Sequence, residues 1–172
     1  MENSMIVLGI DPGLSITGWG AVETTSRNDI RALQYGAILT KSAKPLIERL
    51  QIINSQLQQI INLYQPKAAA IEELFFLKEA RSIAAIGQAR GAILLTLSLN
   101  KIPLFEYNPR LVKTALTGYG SADKSQMQRM AQTLLKLKEI PRPDDAADAL
   151  AIAVCHIHTS NNVFAKIAAN EK

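Results

Sequence analysis

Apolar and polar positions along the chain follow two periods, and the switch between them lays out the elements. Ile6, Val7 and Leu8 open an apolar, β-rich run that ends at Asp11; Pro12 and Gly13 then make a turn, and Ile16 to Val22 returns as a second strand. Thr24 to Asp29 is polar, and Ile30 to Thr40 resumes strand character with Tyr35, Ile38 and Leu39. Three sequential strands with short links predict an antiparallel meander. From Pro45 the period lengthens. Leu46, Leu50, Ile53, Leu57, Ile60, Ile61 and Tyr64 recur at three- and four-residue steps, one face of a long helix with proline in its first turn and Pro66 at its end.

Ala68 to Ile71 is a short apolar run closed by Glu72 and Glu73, so a carboxylate again stands at a strand tip. Leu77 to Leu99 reads as helix. Gly87 and Gly91, four apart, share a face of it where another backbone approaches closely, either the sheet or a second subunit. Ile102 to Tyr107 is a fifth strand, followed by a helix over Arg110 to Leu116 that Gly118 to Gly120 breaks. The next helix is expected from Ala122 to Leu137 with Ser121 as its N-cap, and the last from Asp144 to about His158. Together these elements predict one α/β domain over residues 1–160 with a mixed five-stranded sheet flanked by helices. Residues 161–172 are expected to form a loosely held tail.

Composition narrows the class. With 172 residues, 48% of them hydrophobic, the chain suits one well-cored domain. The net charge of +4 permits a polyanionic partner without requiring one. One cysteine, Cys155, excludes an internal disulfide and a Cys-rich metal site. No signal-peptide pattern opens the chain and charged residues interrupt its apolar helices, so a soluble cytoplasmic protein with no membrane association is expected.

The chemistry lies in the acids. Asp145 and Asp148, three apart, share one face near the start of the last helix amid Ala146, Ala147, Ala149 and Leu150. Favourable placement at the helix dipole accounts for Asp144 and Asp145 but less readily for Asp148. Asp11, Glu72, Asp145 and Asp148 thus form a set, because parallel neighbouring strands bring their tips to one sheet edge. Oxygen-only donors suit a hard ion, Mg²⁺ or Mn²⁺, and the implied chemistry is two-metal phosphodiester hydrolysis with two ions per subunit. His156 lies eight residues past Asp148, about 12 Å along a helix, too far to share an ion. His156 and His158 are read as surface or capping residues.

Phe75 and Phe76 precede Lys78 and Arg81, an aromatic and basic cluster suited to stacking on bases and gripping phosphates, although one of the two rings is expected in the core. Arg110, Lys113, Lys124 and Arg129 flank the loop from Gly118 to Ser121, where glycines admit a phosphate to the backbone amides. Solvated helix faces are the default reading for such charges; the acidic set is what makes them candidates.

The segments LGIDPGLSITGWG (8–20), AIEELFF (70–76), GQARG (87–91), FEYNPRLVK (105–113), GSADKSQ (120–126) and DDAADALAIAVCH (144–156) together resemble the RuvC family of bacterial Holliday-junction resolvases. The resemblance implies an RNase H-like fold and a homodimer that cuts opposing strands of a four-way DNA junction symmetrically, leaving ligatable 5′-phosphate ends in recombination and repair. It also implies a branch-migration motor as partner. By position, Asp11, Glu72, Asp145 and Asp148 match the family's metal-binding catalytic carboxylates. Phe75 matches an aromatic that contacts bases, and Lys113 and Lys124 match lysines that handle DNA near the cut. The doublets Glu72-Glu73 and Asp144-Asp145 offer two registers, of which Asp145 keeps the D-x-x-D spacing. Two other readings are an actin-like phosphate-binding ATPase fragment, since the Asp11 loop resembles that class too, and a non-catalytic four-way-junction scaffold.

Overall fold

The computed structural model describes residues 4–26, 29–73 and 80–170. Strands β1 (Met5–Asp11), β2 (Ile16–Ser26) and β3 (Asp29–Leu39) form the antiparallel meander. Helix α1 (Leu46–Tyr64) crosses over to β4 (Ala68–Glu72), which pairs parallel with β1, and α2 (Ala80–Leu99) crosses to β5 (Leu104–Tyr107), parallel to β4. The sheet order is β3-β2-β1-β4-β5. Helices α3 (Pro109–Thr117), α4 (Lys124–Leu134) and α5 (Asp144–Asn170) complete the chain. Among the described residues no helix is long and apolar enough to cross a membrane.

Two cores, one on each face of the sheet, follow from the alternation of side chains along the strands. Leu8, Ile10, Ala69 and Ile71 pack with Ile53 and Leu57 of α1 and Ile93 and Leu97 of α2. Val7, Val22 and Ala70 pack with α3, α4 and α5, including Val112, Met127, Leu150 and Val154. The central strands are buried on both sides, which is why β1 and β4 read as continuous apolar runs. Parity then decides a point of function. Asp11 and Glu72 stand an even number of residues from Val7 and Ala70, so both carboxylates leave the sheet on the α5 face.

Helix α5 lies unusually close to that face. A Cβ on Gly9 would come within 1.9 Å of the Ala149 carbonyl oxygen, and one on Gly18 within 2.0 Å of the Asp145 carbonyl oxygen. Only hydrogen fits at these two points, and the absent side chains let the N-terminal half of α5 rest on β1 and β2.

Helix ends depart from the sequence reading in two places. Asp123, not Ser121, caps α4: its Oδ1 accepts from the Gln126 N–H at 2.9 Å while Gln126 Oε1 accepts from the Asp123 N–H at 2.9 Å. The reciprocal pair needs Gln three residues on, and Ser121 has Lys124 there. Helix α5 continues to Asn170 rather than ending near His158, because Ser160, Asn161 and Asn162 are weak helix formers and not breakers.

Candidate active site

Five elements, β1, β4, α3, α4 and α5, converge at the C-terminal edge of β1 and β4. Asp11, Glu72 and Asp148 line a cavity of about 220 Å³ together with Lys113, Lys124, Pro109, Val112 and Met127. Helix α3, capped by Asn108 whose Oδ1 accepts from the Leu111 N–H at 2.8 Å, brings Lys113 to the rim. The α4 capping box places Lys124 at that helix's first position. Asp145 is outside the lining but close enough to act electrostatically on both Asp11 and Asp148.

The cluster resists ionisation. Burial raises the Asp11 carboxyl to about 7, with further upward pushes from Asp148, Asp145 and Glu72. Burial also raises Glu72, aided by Asp148 and opposed by Lys113, and it raises Asp148, against the pull of Lys124. Lys124 Nζ reaches Asp144 Oδ2 at 3.1 Å and Asp148 Oδ2 at 3.8 Å, and its own pKa is raised chiefly by the Asp144 hydrogen bond. Three half-buried carboxylates and a fourth nearby create a demand for positive charge that the ammonium groups of Lys113 and Lys124 do not meet, since the acids' pKa values stay raised beside them.

The donor set fits a hard divalent ion, being all carboxylate oxygen. Among the described residues no three or more such side chains already stand in ligating geometry, as expected of acids that repel one another.

The Asp144-Asp145 doublet separates into two roles. Asp144 accepts on Oδ1 from Arg142 Nη1 at 2.7 Å and from Gln128 Nε2 at 3.0 Å, and on Oδ2 from Lys124. Both of its oxygens are taken, and its carboxyl is held below the ordinary range, first by the Lys124 bond. Asp145 remains as the acid at D-x-x-D spacing from Asp148. Glu73 is exposed, outside the cavity, and its N–H donates to the Tyr107 carbonyl at 2.9 Å.

Of the DNA candidates, Lys113 and Lys124 join the acids, while Arg110 is exposed on α3 with its stem over Gly120. Arg129 hydrogen-bonds Ser125 along the exposed face of α4. Phe75, Phe76 and Lys78 lie outside the described residues, and Arg81 is described only as backbone in the first turn of α2. Of the two histidines read as surface or capping residues, His156 corrects the reading, while the half-exposed His158 caps a last-turn carbonyl of α3. His156 is 4% exposed, with Nδ1 2.7 Å from the Tyr107 hydroxyl and its ring centroid 4.4 Å from that of Phe105 in a tilted contact. His158 Nδ1 lies 3.0 Å from the Ala115 carbonyl. Neighbouring strands and α3 cover this part of α5, which the spacing of residues along one helix does not reveal.

Among the described residues, no atom beyond their own helix lies within 4 Å of where a Cβ on Gly87 or Gly91 would stand, so the expected close approach to the sheet is not made. No local pattern marks the role of Gly9 and Gly18, or of Arg90, which is buried on α2 with Nη1 2.7 Å from the Glu72 carbonyl oxygen. A second depression, of about 500 Å³, opens at the opposite sheet edge between the ends of α1 and α2; its charged residues are Lys67 and Lys101, with no acid.

The family model for "Crossover junction endodeoxyribonuclease RuvC" matches residues 7–156, which include all four acids. The chain belongs to the RuvC family. It is 69% identical over 157 residues to a RuvC of Endomicrobium trichonymphae, across 91% of this chain and 83% of that one. It is 49% identical over 160 residues to a RuvC of Caldicellulosiruptor saccharolyticus, across 93% and 96%. Among solved structures it superposes on T. thermophilus RuvC in complex with a Holliday junction substrate with a TM-score of 0.88 and 36% identity, covering 91% of this chain and 95% of that one. The RNase H-like architecture that the resemblance implied is thus the RuvC architecture, and nucleases of this family are metal-dependent.

Proposed function

We propose that the chain is a structure-selective endodeoxyribonuclease that resolves four-way DNA junctions, with Asp11, Glu72, Asp145 and Asp148 as its catalytic carboxylates. The observation that carries this reading is the cavity itself, where half-buried acids with raised pKa values face two lysines in a RuvC-family chain. The four carboxylates would hold two ions of the Mg²⁺ or Mn²⁺ kind, which supply Lewis acidity and a water ionisable near neutral pH. Lys113 and Lys124 hold the scissile phosphate at the rim, offsetting the repulsion between DNA and the acids. In the reaction water adds to phosphorus, the bond to the 3′ oxygen breaks, and the products are a 3′-hydroxyl and a 5′-phosphate. Asp144 keeps Lys124 beside Asp148, so the ammonium and the acids stay within reach of one phosphate.

Two copies acting together suit a junction of two-fold symmetry. The α2 surface supports this reading. Its glycines face open space, and Leu95 and Leu99 on the same helix are 59% and 71% exposed. Arg110 is a further phosphate contact, and Phe75, Lys78 and Arg81, which follow Glu72 in the sequence, would meet unstacked bases. A branch-migration motor is the partner that would deliver the junction, and the cytoplasm the compartment.

Incubation with a synthetic mobile four-way junction, with and without Mg²⁺, tests the reading. Paired symmetric nicks that need Mg²⁺ are expected. Asp11→Asn, Glu72→Gln, Asp145→Asn and Asp148→Asn should each lower single-turnover cleavage by about a hundredfold or more while junction affinity persists through the basic residues. Metal-independent binding with no cutting would favour the scaffold reading, and ATP hydrolysis without junction binding the actin-like one.

A further inference from the structure

Arg90 is 6% exposed, in the middle of α2 and away from the acidic cavity. A buried guanidinium is tolerated only where its donors are matched, and this one forks between two partners. Nη1 donates to the Glu72 carbonyl oxygen at 2.7 Å, and Nη2 pairs with Glu106 Oε2 on β5 at 2.7 Å. The bond to Glu72 falls where the sheet stops supporting the chain. The β1 ladder ends with Ile10 opposite Ile71, one residue before Glu72. On the β5 side Glu72 is paired with Tyr107, whose carbonyl also accepts the Glu73 N–H at 2.9 Å.

The peptide unit joining Glu72 to Glu73 is therefore clamped at both ends, its C=O by Arg90 and its N–H by Tyr107. Fixing that plane fixes the ψ angle of Glu72, and with it the orientation of the residue whose carboxylate enters the cavity. A clamp is needed because Asp148 and Glu72 repel each other across the cavity, and the side chain would otherwise relax toward water. We propose that Arg90, anchored by Glu106, is a positioning residue that holds Glu72 in ligating orientation; this rests on Glu72 acting as a catalytic carboxylate. Lysine is a poor substitute, because one ammonium on a flexible stem does not reproduce a planar fork held between a carbonyl and a carboxylate.

The test compares Arg90→Lys and Arg90→Met with the wild type and with Glu72→Gln, using the full chain. Single-turnover cleavage of a saturating junction is followed against Mg²⁺ concentration, junction affinity is measured in Ca²⁺, and the rise in thermal midpoint on adding Mn²⁺ is recorded without DNA. Misplacing the carboxylate should slow cleavage by about tenfold to a hundredfold in Arg90→Met, with partial recovery in Arg90→Lys. Half-saturation should shift to higher Mg²⁺, the Mn²⁺-induced stabilisation should shrink, and junction affinity should stay within about twofold, since no phosphate contact is lost. If Arg90→Met does not fold, Arg90→Lys, which keeps the buried charge, decides the matter. A folded Arg90→Lys with wild-type rate, Mg²⁺ dependence and Mn²⁺ response overturns the inference. Normal cleavage by Glu72→Gln would instead remove the reading of Glu72 on which it rests.

Discussion

Asp11 and Glu72 leave neighbouring parallel strands on the same face of the sheet, each one residue beyond the last paired positions, Ile10 and Ile71. At that point backbone pairing between the two strands has ended and helix α5 covers the face, so the carboxylates are half-buried and still reachable from the rim. The site is thus made at the cost of electrostatic strain, and stability should record it.

Asp11 gives the clearest signal. Its carboxyl titrates near 7 in the folded chain against an ordinary value of 3.8, so between those values the folded state binds more protons than the unfolded state. Stability must then fall as pH rises through that window, and Glu72 and Asp148, also raised, add to the fall. Glu23 and Asp29 are shifted downward, and their windows lie below their ordinary values, outside this range. His156, whose imidazole burial pushes below its ordinary 6.5, opposes this fall at lower pH, so in chelator the thermal midpoint is expected to drop from pH 6.5 to pH 8. Asp11→Asn should flatten that slope and raise the midpoint at pH 8, by about 2 to 4 °C for each kcal/mol recovered. A midpoint that rises with pH across this window would contradict the assignment.

The doublet at the start of α5 offers a sharper discrimination. Asp144 has both oxygens taken by Arg142, Gln128 and Lys124, whereas Asp145 acts electrostatically on Asp11 and Asp148. Single-turnover cleavage should fall by about a hundredfold or more in Asp145→Asn. In Asp144→Ala it should fall by about tenfold at most, through a displaced Lys124 and the loss of a charge-assisted bond. The reverse order of effects would move the catalytic register by one residue.

Association should be separable from folding on α2. Because nothing lies within 4 Å of a Cβ at Gly91, Gly91→Leu is expected to leave the thermal midpoint of a dilute sample near that of the wild type while weakening self-association. Sedimentation equilibrium read beside cleavage tests both halves. A monomeric wild type with full activity would rule out the two-copy arrangement.

How far the sequence reaches can be seen residue by residue. The change of period at Pro45, the acids at the ends of two apolar runs and the D-x-x-D spacing are local features, and local periodicity determined the elements, the mixed sheet and the four candidate acids. Periodicity also requires Asp11 and Glu72 to share a face once β1 and β4 pair in parallel. It does not report what covers a given residue. His156 sits eight positions from Asp148 on the same helix, and only the packing of β5 against α5 made it a buried partner of Tyr107. The partition of Asp144 from Asp145 depended on where α4 delivers Lys124, the closeness of α5 on two strand positions lacking a Cβ, and the support of Glu72 on an arginine eighteen residues away. Each of these is a contact between elements distant in the chain, fixed by steric fit and charge pairing in three dimensions, and a one-dimensional pattern carries no record of such a contact.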